Sequence, residues 1–159
     1  MKTALRHAFI IASFAAAAAL AAGGDEPATR SEAAADPVLE KVWAANAQAD
    51  WSRSQELLRD ALTKDPANAD YHSLYAYAIR KGPNPGLDLV FKHYNEALRI
   101  DPKHRGAHEY LGEAYLMAGN LAKAKEHLAA LDRLCFFGCE EYSMLKKAVA
   151  AFDGKQDKK

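Results

Sequence analysis

The segment Ala61-Leu62-Thr63-Lys64-Asp65-Pro66 returns as Ala97-Leu98-Arg99-Ile100-Asp101-Pro102, and the two prolines stand 36 residues apart. Each copy closes a run of helical periodicity. Proline lacks the amide hydrogen that an interior helical position needs, so each copy also ends its helix. A recurrence at this period predicts a stack of helical hairpins before any other architecture. One hairpin cannot bury its apolar face alone, and the next one supplies the partner. A stack of that kind offers a docking surface rather than a catalytic pocket.

The first residues stand apart from this pattern. Lys2, Arg6 and His7 make a basic start, and an apolar run from Ala8 to Ala22 follows, broken only by Ser13. Ala19-Leu20-Ala21 fits a small-x-small cleavage rule. The layout predicts a secretory signal peptide over 1–21, cut after Ala21 or Ala22. The run is short for a span, which takes about 20 apolar residues. Its removal takes Lys2 and Arg6 and no acid, leaving 19 basic against 21 acidic side chains. No basic bias remains to recruit nucleic acid. The expected location is periplasmic or secreted, with no integral membrane segment once the leader is gone.

Residues 22–36 lack periodicity and predict a flexible lead-in. Three hairpins follow, over about 37–67, 68–103 and 104–138. Asp36 and Pro37 suit the cap and first position of a helix carrying Val38, Val42 and Ala45. Asp50 opens the next helix, with Leu57, Leu58, Ala61 and Leu62 at three- and four-residue steps. Asn68 opens a third, with Tyr71, Leu74, Tyr75 and Ala78. Lys81-Gly82-Pro83-Asn84-Pro85-Gly86 breaks it, and Leu89, Val90, Tyr94, Ala97 and Leu98 stripe its return. Ala107, Tyr110, Leu111, Ala114 and Tyr115 face inward in the last hairpin, and Gly119-Asn120 turns it. Ala124, Leu128, Leu131 and Leu134 complete it, with Gly138 as its terminating glycine. A capping helix is expected over 139–154 and a disordered tail over 155–159. No stretch alternates long enough to make a strand, so the fold class is all-α.

Leu111-Gly112-Glu113-Ala114-Tyr115, then Ala124 with Leu128, and Ala61 and Ala97 with their closing prolines resemble the tetratricopeptide repeat family. The match is degenerate in the first hairpin, where Lys41-Val42 and Ala45 hold the corresponding places. In the second these places fall to Leu74-Tyr75 and Ala78. The resemblance implies a short right-handed solenoid of three hairpins plus a C-terminal cap. The junction Leu134-Cys135-Phe136-Phe137-Gly138-Cys139-Glu140-Glu141-Tyr142 is similar to one found in small exported bacterial proteins of this family. First helices line the concave side in the family. By that register the ligand groove holds Trp43, Asn46, His72, Ala76, Ile79, Arg80, Glu109, Glu113, Leu116 and Met117. Family members that grip C-terminal carboxylates carry Lys and Asn at places occupied here by Leu39, Trp43, Ser73, Gly106 and Tyr110, which disfavours that mode.

Cys135 and Cys139 are the only cysteines. A pair in an exported chain can hold a disulfide, and a turn at Gly138 can bring the two together; a bridge pinning the cap is the expectation. The two-residue gap of thioredoxin-like sites is missing. His104 and His108 stand four apart, a spacing that can bind Zn or Cu, but a third ligand is lacking. The histidines are expected to be exposed, with His104 at a helix start. No nucleophile triad, phosphate loop or metalloprotease motif occurs, and nothing asks for a cofactor or a metal. The chain is therefore expected to be no enzyme but a protein- or peptide-binding repeat module, a periplasmic scaffold or assembly factor. The alternatives are a thiol-redox or metal-handling protein using Cys135 and Cys139, and a structural adaptor in an envelope complex.

Overall fold

A computed structural model describes residues 36–156. The expected leader and nearly all of the lead-in fall outside the described residues, as do 157–159. Seven helices make up the described chain: α1 (Pro37–Ala47), α2 (Trp51–Lys64), α3 (Ala69–Lys81), α4 (Leu87–Ile100), α5 (Arg105–Met117), α6 (Leu121–Leu134) and α7 (Glu140–Gln156). Among the described residues there is no strand.

Polar residues start most of these helices. The side chains of Asp36, Asp50, Asn68, His104 and Asn120 each accept from a backbone N–H of the following first turn. Each satisfies a donor that the helix itself leaves unpaired. Helices α2 and α4 stop at Asp65 and Asp101, directly before the repeated prolines. The turn from α1 to α2 and the turn from α5 to α6 are built alike. Asp50 N–H donates to Ala45 O at 2.9 Å and Asn120 N–H to Tyr115 O at 2.8 Å. The residue before each cap is left-handed, Gly119 at φ 76° and Ala49 at φ 55°. A Cβ in that region costs about 1–2 kcal/mol, more than the extra backbone entropy glycine loses on folding. Ala49→Gly should therefore raise stability, by about 0.5 kcal/mol in urea titration.

The core is divided by junction. Val42, Leu58, Ala61, Tyr71 and Leu74 join α1, α2 and α3. Ala76, Ile79, Val90, Tyr94, Leu111 and Ala114 join α3, α4 and α5. Leu116, Ala124, Leu131, Leu145 and Val149 join α5, α6 and α7. Each cluster therefore ties one hairpin to the next, as a linear stack requires. Helix α7 packs on both α5 and α6, the place a fourth hairpin would start. Gly112 makes that docking possible, since a Cβ there would stand 2.5 Å from Leu145 Cδ2.

Three details differ from the sequence expectation. Helix α6 ends at Leu134 with Cys135 as its cap, and Gly138 closes a separate turn by donating to Cys135 O at 2.8 Å. Gly154 does not stop α7, which continues to Gln156, so residues 155 and 156 of the expected tail are helical. Leu89 is exposed rather than inward. Cys135 and Cys139 are paired at disulfide distance, with Cα atoms 5.5 Å apart. The loop they close displays Phe136 and Phe137, 87% and 96% exposed.

Candidate functional site

Helices α3, α5 and α7 lie side by side and enclose a cleft of about 380 Å³. Arg80, near the C-terminal end of α3, organises it. Its Nη2 pairs with Glu113 Oε2 on α5 at 2.7 Å, and its Nε donates to Tyr94 Oη on α4 at 3.4 Å. The guanidinium carbon lies 5.5 Å from the Tyr77 ring centroid and 5.9 Å from that of Tyr110. The side chain is almost wholly buried and so must be paired to be tolerated. Met117 approaches the same guanidinium through its sulfur at 3.9 Å.

Glu109 stands one turn before Glu113 on α5. It is only 7% exposed, and among the described residues no hydrogen bond or ion pair reaches its carboxylate. Burial, reinforced by the charges of Glu113 and Glu141, pushes its carboxyl up to about 7. The same burial pushes the Tyr110 hydroxyl up to about 12. Helix α7 adds Glu140, Glu141 and Met144 to the wall, and Lys81 completes it. Glu141 also lies 3.6 Å from Arg105 Nε.

The structure gathers Arg80, Glu109 and Glu113 in the cleft and places Met117 against it. The other residues expected in the groove lie elsewhere. Ala76, Ile79 and Leu116 are core. Asn46 turns toward α2 and accepts from the Ser54 hydroxyl at 2.5 Å. Trp43 remains half exposed on α1 and does not line the cleft. His72 is buried between α3 and α4. The error in the second hairpin is one of register. Adding 36 to Tyr77 and Lys81 reaches Glu113 and Met117, so Tyr77 and Lys81 are the true equivalents. A step of one residue rotates a side chain by about 100°, which turns His72, Ala76 and Ile79 onto the packing face. Glu140, Glu141 and Met144 escaped notice because nothing in the sequence says which face of the cap meets the groove.

The histidines are not the exposed side chains expected. His72 Nε2 lies 3.0 Å from Pro66 O, and its Nδ1 lies 2.8 Å from His93 Nδ1. One repeat later, His108 Nε2 lies 3.1 Å from Pro102 O, and its Nδ1 lies 3.0 Å from His127 Nδ1. Each pair bridges the two helices of its hairpin and ties them to the preceding proline. A carbonyl only accepts, so Nε2 of His72 and of His108 carries hydrogen. In the neutral pair, Nδ1 of His93 and His127 must then be the donor. Burial, with the neighbouring ring's charge, pulls His93 and His127 down to about 4. His104 joins successive hairpins instead, its Nε2 lying 3.1 Å from Asp70 Oδ1. His104 and His108 thus have separate partners.

A family model described as tetratricopeptide repeat matches residues 90–152. No curated protein matches the chain. Among solved structures it is similar to the type III secretion translocator chaperone SycD of Yersinia enterocolitica, with TM-score 0.65 and 14% identity over 76% of this chain and 83% of that one. It is similar to the TPR2B domain of yeast Sti1, solved as a complex with an Hsp70 segment, with TM-score 0.63 and 18% identity over 72% and 94%. PcrH in complex with the chaperone-binding region of PopD gives TM-score 0.62 and 12% identity over 76% and 90%. At these identities the likeness carries the fold. No helix among the described residues is long and apolar enough to cross a membrane. Residues 90–152 thus match the tetratricopeptide repeat model, and the chain shares the fold of tetratricopeptide repeat structures.

Proposed function

We propose that this chain is a non-catalytic module that holds a segment of a partner protein against the inner face of α3, α5 and α7. One observation carries the reading: the first helices leave an open cleft walled by two tyrosines, an ion-paired arginine and a methionine. Aromatic and arginine side chains of this kind supply much of the energy at protein interfaces. Structures of the same fold hold segments of other proteins, among them PcrH with PopD and yeast Sti1 with Hsp70. The leader-like start of the sequence supports export, and with it work as a periplasmic scaffold or assembly factor.

A photo-reactive residue at Met144, in the cleft wall, should cross-link a discrete partner from the native source. The same residue at Lys64, outside the cleft, should not. Equal cross-linking at both positions would count against the reading.

A further inference from the structure

The cleft has a charge character of its own. Four carboxylates line it, Glu109, Glu113, Glu140 and Glu141, against the two cations Arg80 and Lys81. Two of the four are engaged, Glu113 by Arg80 and Glu141 by Arg105. Glu109 is not. It is more than nine-tenths buried, has no hydrogen-bonding partner among the described residues, and borders the cleft. A carboxylate this far buried without a hydrogen-bonding partner is costly, and among the charges around Glu109 it is Arg80, itself paired with Glu113, that acts to lower that cost. The walls next to it already show what they accept. The rings of Tyr77 and Tyr110 pack against each other, 4.8 Å between centroids, and the guanidinium of Arg80 lies against both; an aromatic face favours a cation in this way.

We propose that the cleft receives an arginine or lysine side chain of a peptide partner, with Glu109 as its counter-ion. This rests on the reading of the molecule as a peptide-binding module and names the chemistry of what it binds. The incoming cation supplies the charge-assisted bond that Glu109 lacks. Arginine suits the site better than lysine, because its planar head both stacks on a ring and pairs with a carboxylate.

Binding is then linked to protons. The groups facing Glu109 are Arg80, Lys81 and Tyr77 from α3, Glu113 and Tyr110 from its own helix, and Glu140 and Glu141 from α7. In the free protein the Glu109 carboxyl titrates at about 7. A bound cation favours the ionised form, so binding expels a proton, and affinity should fall about tenfold between pH 8 and pH 6.

The test is a titration with a blocked alanine pentapeptide carrying one central arginine, and with its citrulline counterpart, which keeps the shape and loses the charge. The readout is NMR shifts of the Met144 methyl and the Tyr77 and Tyr110 rings. The arginine peptide should shift these signals and the citrulline peptide should not. Glu109→Gln should weaken binding at least fivefold at pH 8 and remove the pH dependence. That variant stays folded, because it deletes a buried charge, and a melt at pH 8 should show it at least as stable as the parent. Equal binding of the citrulline peptide, or unchanged affinity in Glu109→Gln, would overturn the proposal. Shifts confined to other surfaces, for example around Trp43, would overturn this site and leave peptide binding standing. An absence of shifts anywhere would also overturn it, while cross-linking at Met144 judges the wider reading separately.

Discussion

Leu111→Ala should lower the folding free energy by about 2–5 kcal/mol, while Trp43→Ala should change it by about 0.5 kcal/mol. Leu111 is fully buried at the junction of α3, α4 and α5, among Ala76, Ile79, Val90, Tyr94 and Ala114. Its removal opens a cavity in the cluster that joins the second hairpin to the third. The neighbours are themselves fixed: Tyr94 is fully buried and bonded to Arg80, and Gly112 is locked against Leu145. Little collapse into the space is available, which puts the loss toward the upper part of the range. Trp43 is 51% exposed and belongs to none of the three clusters. Urea unfolding midpoints of the two variants decide the matter. Equal losses would mean that Trp43 is a packing residue and that the division of the core by junction is wrong.

The repeated prolines and the polar caps made the hairpin boundaries legible in the sequence. The caps at Asp36, Asp50 and Asn68 sit where the sequence placed them. Asn120 marks the last turn in the same way. These signals are local, and local signals survive without tertiary context. The cleft was only partly legible. Glu109 and Glu113 lie on a helix with clear repeat landmarks, and both are in it. In the second hairpin an extended turn and a weak Leu-Gly signature shifted the register by one. That was enough to exchange Tyr77 for Ala76 on the inner face. The part of the wall made by α7 depends on how the cap docks, which is set by Leu145 against Gly112 and is a tertiary fact. The histidine pairs did have a signal. His72 follows Pro66 by six residues and His108 follows Pro102 by six, each with a second histidine on the returning helix. Treating histidines one at a time concealed it.

The pairs make stability fall as acid is added. His93 and His127 ionise at about 4 in the folded chain and near 6.5 when unfolded. Between those values the unfolded chain binds more protons than the folded one, so stability is full above about pH 6.5 and is lost as pH drops toward 4. His108 is also lowered, chiefly by burial, and acts in the same direction. Glu109 opposes them. Its carboxyl is raised to about 7, so it destabilises the folded state at high pH, and protonation relieves that cost as the pH falls. Three histidines against one carboxyl leave a net loss. After allowance for their partial exposure, that loss is about 2 kcal/mol between pH 7 and pH 4.5. The chemistry of the pair agrees with the sign. One extra proton can go to His93 Nε2 while its Nδ1–H still donates to His72 Nδ1, but a second would set two N–H groups against each other at 2.8 Å in the His72–His93 pair. Asp36 and Asp70 are held below the usual carboxylate range by Tyr71 and His104, and they extend the loss below pH 4. Urea titrations of the parent and of the double variant His93→Gln/His127→Gln, run from pH 7.5 to 4.5, check this. The parent should weaken steadily below pH 6.5. The variant should be nearly flat or gain slightly, because Glu109 is then opposed by His108 alone. A parent whose stability does not change down to pH 4.5 would show that the paired rings accept protons in the folded state as readily as in the unfolded chain.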